Sequence, residues 1–291
     1  MVTDDLYSEG MRVAQSLVAL DGPNVNPVCG TRVYSHGHRT ERSLVLLHGF
    51  TNCPQQFDLI GRHFHDQGWN VLIPRYPRHG YVDRLNTSVS ELRARHLVAV
   101  ANQSARVAHG LGRHVTVAGM SLGGSLAGHL AQTHDHVDRA VLIAPLFGLQ
   151  RLPGFLQSSL SRVAYALPNV YFWWDRRLKD RLAPDYGYPR FSTHAYASIL
   201  DIAASVLVAA RETSPRASHI AVVTNANEPG IENRYTSRLV EAWREHGANV
   251  TTHEFPISDR LPHDLIDPMH PEQNTALVYP IVRRLIEGES R

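Results

Sequence analysis

The most reactive pattern in the chain is Gly119-Met120-Ser121-Leu122-Gly123, a serine with a glycine two residues to either side. A serine hydroxyl attacks carbonyls only when a base takes its proton, so the pentapeptide asks for a histidine and, behind it, a carboxylate. Three late histidines are available: His253, His263 and His270. His253 lies inside the strand-like Val250–Phe255, where its side chain is fixed on a sheet face, and His270 abuts the last helical segment. His263 falls on the loop between them, free to present an imidazole. The carboxylate is sought in the loop Asn225–Asn233, which offers Glu228 and Glu232; Asn227 has no charge to contribute.

A nucleophile of this kind needs a strand that delivers it and a helix that starts beneath it. The apolar run His114–Ala118 precedes the pentapeptide, and Leu122, Leu126 and Leu130 follow at helical spacing. Glycines at 119, 123 and 124 remove the side chains that would collide in so tight a turn. An earlier strand-like run, Ser43–Leu47, leads into His48-Gly49-Phe50-Thr51. The oxyanion of an acyl-transfer reaction would be held by two backbone N–H groups, that of Leu122 after the nucleophile and that of Phe50 in this earlier loop. His48 reads as a turn residue, not as the base.

Strands are expected at Thr31–Ser35, Ser43–His48, Asn70–Pro74, His114–Gly119, Val137–Ala144, His219–Thr224 and Asn249–Phe255. Helices are expected at Pro54–Gln67, Val89–Gly110, Leu122–His134, Ala195–Arg211, Glu232–His246 and Pro271–Glu287, the second capped by Ser88 with Glu91 three residues on. Near-continuous apolar strands alternating with helices describe an α/β fold with a largely parallel sheet covered on both faces. About seventy residues separate Ala144 from His219, too many for one crossover helix. With Pro153, Pro168, Pro184, Pro189 and the run Tyr171-Phe172-Trp173-Trp174, they read as a helical cap over the C-terminal edge of the sheet. The expected division is a core of 1–148 and 214–291 with a cap at 149–213. Phe147, Tyr171 and Trp174 are the candidate lining of a substrate pocket.

Three segments together, Leu46-Leu47-His48-Gly49-Phe50-Thr51, Gly119-Met120-Ser121-Leu122-Gly123-Gly124 and His263-Asp264-Leu265-Ile266-Asp267, resemble the α/β-hydrolase superfamily. The resemblance is greatest to bacterial carboxylesterases and to monoacylglycerol-lipase or lysophospholipase-like members, and it spans Ser43 to Ile286. It implies an α/β-hydrolase fold with an inserted helical cap, and the triad order nucleophile, acid, histidine. His263 matches the family's His-Asp motif, although Pro262 stands where a small residue is usual. Glu228, three residues before Ile231, matches the register of the family's acid. Pro77-Arg78-His79-Gly80 resembles a family turn, with arginine in place of a glycine. The activity implied is that of a cofactor-independent, metal-free serine esterase acting on short- or medium-chain acyl esters, monoacylglycerols or lysophospholipids through an acyl-enzyme. Carbon–carbon bond hydrolases and perhydrolases share the triad, and a non-catalytic ligand-binding protein could share the fold.

Composition narrows the partners. With 29 Lys+Arg against 27 Asp+Glu the formal charge is +2, and the basic residues, all arginine except Lys179, form no run, so nucleic acid is not an expected partner. The expected partner is a small ester. Eighteen histidines include no HExxH metal motif. The acidic N-terminal stretch does not resemble a signal peptide, and no apolar run of membrane-spanning length is read. Two cysteines, Cys29 and Cys53, make no disulfide framework. A reduced, cytoplasmic setting is the simpler expectation, with a single bond between the two left open. Oligomeric state is not legible in the sequence.

Overall fold

A computed structural model describes residues 2–148, 163–174 and 184–288. Its centre is a seven-stranded sheet formed by β1 (Arg32–Tyr34), β2 (Thr40–Leu47), β3 (Asn70–Ile73), β4 (Gly112–Met120), β5 (Arg139–Ile143), β8 (His219–Asn225) and β9 (Val250–Phe255). The spatial order is β1-β3-β2-β4-β5-β8-β9, parallel throughout except for β1, which runs antiparallel along the edge of β3. Every strand expected from the sequence is present.

The strands are apolar on both faces because both faces are covered. Leu44 and Leu46 of β2, Val141 and Ile143 of β5, and Ala221 and Val223 of β8 enter one core cluster, with Phe57, Phe64 and Val282. Their neighbours Val45, Leu47, Ala140, Leu142, Ile220 and Val222 enter the other, with Leu126, Val206 and Trp243. This is the period-two alternation of a pleated strand applied to residues that are all hydrophobic. The covering helices are α2 (Asp58–Asp66), α3 (Ala94–Leu111), α4 (Leu122–Thr133), α5 (Thr193–Glu212), α6 (Asn233–Glu245) and α7 (Thr275–Glu287).

Some local features differ from the sequence reading. A helix α1 (Val2–Val18) precedes the sheet. Its apolar residues Tyr7, Met11, Ala14 and Leu17 recur at helical spacing and pack beside Val107 and Leu111 of α3, so the polar Gln15 and Ser16 lie on its other face. Gly10 and Gly110 let the two helices cross closely, since a Cβ on Gly110 would sit 2.6 Å from the Leu6 carbonyl oxygen. The Ser88–Glu91 capping box does not start α3. Those residues form a separate 3-10 turn, Leu92 and Arg93 are extended, and the helix begins at Ala94. Glu91 pairs instead with Arg78, 2.6 Å away.

Within the stretch expected to be a cap, residues 149–162 and 175–183, including Pro153, lie outside the described residues. The described part contains a two-stranded antiparallel pair, β6 (Tyr171–Trp173) with β7 (Arg190–Ser192), followed by α5. Among the described residues α5 is long and apolar enough to cross a membrane by length and composition, which corrects the expectation of no run of that length. Half of that stretch is buried, and Ile199, Ile202, Ala203 and Val206 pack into the core beside α4.

The cysteines correct the simpler expectation of reduced thiols: Cys29 and Cys53 are joined in a disulfide. The bond ties the segment before β1 to the loop after β2, closing 24 residues of sequence separation. A loop of that size stabilises the fold by about 3 kcal/mol, mainly by restricting the unfolded chain. Cys29→Ser with Cys53→Ser should therefore lower unfolding stability in denaturant by about 2–4 kcal/mol, and thiol titration of the unreduced, unfolded protein should find no free thiol. Two titratable thiols would contradict the pairing.

Candidate active site

Parallel strands bring their C-terminal ends to one edge, where open α/β sheets collect ligands. The registers Leu47 with Gly119, Met120 with Ile143, and Asn225 with Phe255 align the ends of β2, β4, β5, β8 and β9. Loops holding Phe50, Ser121, Glu228 and His263 leave that edge together and border one cavity of about 700 Å³.

Ser121 sits between β4 and α4 at φ 55°, ψ −112°, a conformation rare for a residue with a Cβ. Its surroundings impose it. A Cβ on Gly123 would lie 1.8 Å from the Leu47 carbonyl oxygen, and one on Gly119 2.0 Å from that of Gly123. On Gly124 it would meet Pro145 at 2.8 Å. The Ser121 amide donates to Ile143 O at 2.9 Å, and its carbonyl accepts from Leu146 and Ser125 at 3.2 and 3.0 Å. Backbone on both sides of the residue is therefore fastened to β5 and α4, which holds the strained turn.

From this turn Ser121 Oγ reaches His263 Nε2 at 3.0 Å, and His263 Nδ1 donates to Glu228 Oε2 at 2.7 Å. A carboxylate can only accept, so the proton is on Nδ1 and Nε2 is free to take the serine's. Burial alone would lower the pKa of His263, but the Glu228 charge and hydrogen bond, helped by the Asp264 charge, raise it above the ordinary histidine value. Burial alone would raise Glu228, yet the charge and hydrogen bond of His263 and the amides of Gly230 (3.2 Å) and Ile231 (3.4 Å) hold its carboxyl below the usual range. The His263 loop is itself laced to β8: Asn225 Nδ2 donates to Leu261 O and Pro262 O at 3.0 and 3.1 Å, and Asn227 Nδ2 to Leu261 O at 3.1 Å.

Of the two expected oxyanion donors, Phe50 borders the cavity and Leu122, buried, directly follows Ser121. The Leu122 amide is the first of α4 and has no acceptor within its own helix. The Phe50 amide belongs to the Gly49–Phe50 peptide unit, whose carbonyl accepts from His48 Nδ1 at 2.9 Å and from Asn52 N at 3.2 Å. Because C=O and N–H of a trans peptide point in opposite directions, these donors turn the Phe50 N–H away from themselves. His48 is buried, and burial, reinforced by the neighbouring His79, keeps its pKa well below the ordinary value. Neutral His48 is thus a turn-former, far from the role of base.

Of the three pocket candidates, Trp174 borders the cavity and donates Nε1–H to Thr51 Oγ1 at 2.9 Å. Phe147 is instead in the core, in the cluster with Val206 and against Gly128. Tyr171 donates to Thr87 O at 2.7 Å and lies under Arg190, so it anchors the β6–β7 pair away from the cavity. Both are displaced because backbone geometry, not aromatic character, decides which side chains face the cavity. Met120, Leu146, Tyr196 and Ile231 border the cavity without having been singled out in the sequence. His253 stacks edge-on to Phe255 on β9, and His270 sits at the cavity margin, its Nδ1 accepting from Glu272 N. Glu232 caps α6, accepting from Arg234 N at 3.5 Å. Arg78 takes φ 65° where the resembling turn has glycine. Among the described residues no three His, Cys, Asp or Glu side chains gather to hold a metal ion.

Comparisons place this geometry among known folds. Residues 44–275 match the family model described as the Alpha/beta hydrolase family. Among solved structures, a metagenome-derived lipolytic enzyme superposes with TM-score 0.66 at 14% identity, over 91% of this chain and 100% of its own. The monoacylglycerol lipase of Paleococcus ferrophilus gives 0.65 at 15% identity, over 89% and 98%. A soluble variant of the Saccharomyces cerevisiae monoglyceride lipase gives 0.62 at 12%, over 90% and 92%. No curated protein matches the sequence at a significant level. The elbow at Ser121, the mostly parallel seven-stranded sheet and the match over residues 44–275 establish that the chain belongs to the α/β-hydrolase family.

Proposed function

We propose that the protein is a serine esterase that cleaves carboxylic esters through an acyl-enzyme on Ser121. The observation that carries this reading is the continuous chain Glu228–His263–Ser121, whose two contacts of 2.7 and 3.0 Å end at the floor of the cavity. His263 Nε2 takes the Ser121 proton as Oγ attacks the ester carbonyl carbon, and the carbonyl oxygen becomes the tetrahedral oxyanion, facing the Phe50 and Leu122 amides. The C–O bond to the leaving alcohol then breaks as His263 returns the proton to its oxygen. Water, deprotonated by the same Nε2, attacks the acyl carbon, and the C–Oγ bond breaks as His263 gives that proton to Ser121 Oγ, releasing the carboxylic acid. Each backbone oxyanion donor contributes about 3–4 kcal/mol to such a step. Neither depends on its own side chain, so Phe50→Ala costs less than loss of a donor.

Phe50, Met120, Leu146, Trp174 and Ile231 give the cavity apolar walls suited to an acyl chain. Together with the monoacylglycerol lipases among the structural neighbours, they support short- or medium-chain acyl esters or monoacylglycerols as the substrate class.

A fluorophosphonate should label the protein at Ser121, and p-nitrophenyl esters of graded chain length should be hydrolysed by the native chain but not by Ser121→Ala. An unlabelled Ser121 overturns the proposal. Glu228→Gln, which removes the charge facing His263, should lower kcat/KM about 10²- to 10⁴-fold. NMR titration of the His263 ring should find its midpoint above 6.5 in the native protein and lower in the variant. A midpoint unmoved by the substitution would assign the acid elsewhere.

The base works only when neutral, and its pKa is raised. The native kcat/KM should therefore fall as pH drops through the range above 6.5, where His263 takes up a proton. A profile flat down to pH 5 would contradict His263 as the base.

A further inference from the structure

The two halves of the proposed machinery come from strands that do not touch. The Phe50 donor follows β2 and His263 follows β9, and β4, β5 and β8 lie between them in the sheet. No ladder of hydrogen bonds sets the distance between these loops, yet both must serve one tetrahedral carbon, and a misplacement of about 1 Å costs on the order of 10²-fold in rate. The joint is made by side chains.

Gln56, buried on the 3-10 turn Pro54–Phe57, spans the gap. Its Oε1 accepts from the Gly49 amide at 2.8 Å. A backbone N–H can only donate, so this contact identifies the oxygen end of the amide and leaves Nε2 facing Asp264. Nε2 donates to both carboxylate oxygens, at 2.9 and 2.8 Å. Gly49 precedes Phe50 and Asp264 follows His263, so a single amide links the loop of the donor to the loop of the base across 208 residues of sequence. Asn52 runs alongside it. Its Nδ2 donates to Asp264 and to Asp267, each at 3.1 Å, while its backbone amide holds Gly49 O. Tyr186 closes the far end, its hydroxyl donating to Asp267 at 2.6 Å.

The bridge holds a carboxyl that would otherwise be poorly placed. Burial and the neighbouring Asp267 hold the Asp264 carboxyl above the usual carboxylate range, against the opposing pull of His263 and of the bond from Gln56. Loss of the Gln56 donor would leave this group short of hydrogen bonds beside the imidazole.

We propose that Gln56 is a positioning residue, whose amide holds the Phe50 donor and the His263 imidazole in register by tying Gly49 to Asp264. The inference rests on the esterase reading and adds to it a residue that borders the cavity without being a member of the triad. The test exchanges donor and acceptor. Gln56→Glu keeps the oxygen that faces Gly49 but sets a second carboxyl against Asp264, and kcat for p-nitrophenyl esters should fall about 10- to 100-fold with KM changed less than about threefold. Asp264→Asn keeps one oxygen but turns an NH2 toward the donors that Asp264 now accepts from, Gln56, Asn52 and the Asp267 amide, so on its own it should also lower kcat. Combining the two restores one donor and one acceptor across the gap, and kcat should rise at least about threefold above that of either single variant. A bridge serving stability alone would lower the melting temperature without this recovery of kcat. If Gln56→Glu does not fold, the combined variant decides: a kcat above that of Asp264→Asn alone supports the bridge, and one no higher in a folded protein overturns it. Native kcat in Gln56→Glu, or no recovery in the pair, also overturns it, with ester hydrolysis and Ser121 labelling of the native chain left intact. A native chain that neither hydrolyses esters nor is labelled would overturn the esterase reading and this inference with it.

Discussion

The site depends on how closely the start of α4 is pressed against the ends of β2 and β4. Where a Cβ at position 123 would lie 1.8 Å from Leu47 O, no residue but glycine fits, and the same holds at 119 against Gly123 O. That closeness leaves Ser121 a turn of the chain too tight for relaxed dihedrals. A residue held at φ 55° costs on the order of 1–3 kcal/mol, offset by the backbone bonds from Ser121 to Ile143, Leu146 and Ser125. What the strain secures is geometric: Oγ stands 3.0 Å from His263 Nε2, beside a first turn of α4 whose leading amides have no acceptor within the helix. A helix packed at ordinary distance would present neither.

Around this turn the structure places several ionisable groups out of water and provides each with partners. Glu228 is held in its charged form by His263 and two backbone amides, and His263 is made more basic than usual by that charge. His48, with only a carbonyl to donate to and the Tyr76 amide to accept from, stays neutral. Two histidines thus have opposite shifts, and the difference is the presence or absence of a facing carboxylate. Asp264 and Asp267 share Asn52 as a donor, and the Asp267 amide donates to Asp264, so both acids are held by hydrogen bonds.

Much of the fold was legible in the chain because its strands are apolar on both faces, a pattern that only a covered parallel sheet requires. The seven strands and six helices read from periodicity are all present, with boundaries shifted by a few residues. The N-terminal helix was not, although Tyr7, Met11, Ala14 and Leu17 carry the helical period, because Asp4, Asp5, Glu9, Gln15 and Ser16 make the stretch as a whole polar. The β6–β7 pair escaped for a different reason: its three-residue strands carry no period at all. The cysteine bond also lay beyond reach, because whether two thiols 24 residues apart meet is a question of distance in space.

Ser121, His263 and Glu228 were nameable before any coordinates because each belongs to a local pattern, an elbow, a His-Asp pair and an acid in register with Ile231. The tertiary structure alone decided which aromatics face the cavity, turning Trp174 toward it and burying Phe147 in the core, since orientation follows backbone position and not residue type. It alone brought Gln56 to Asp264, for a glutamine in a 3-10 turn has no sequence signature and its partner lies 208 residues away. Short-range chemistry is written in neighbouring residues, whereas the distances between loops emerge only when the sheet has stacked its strands.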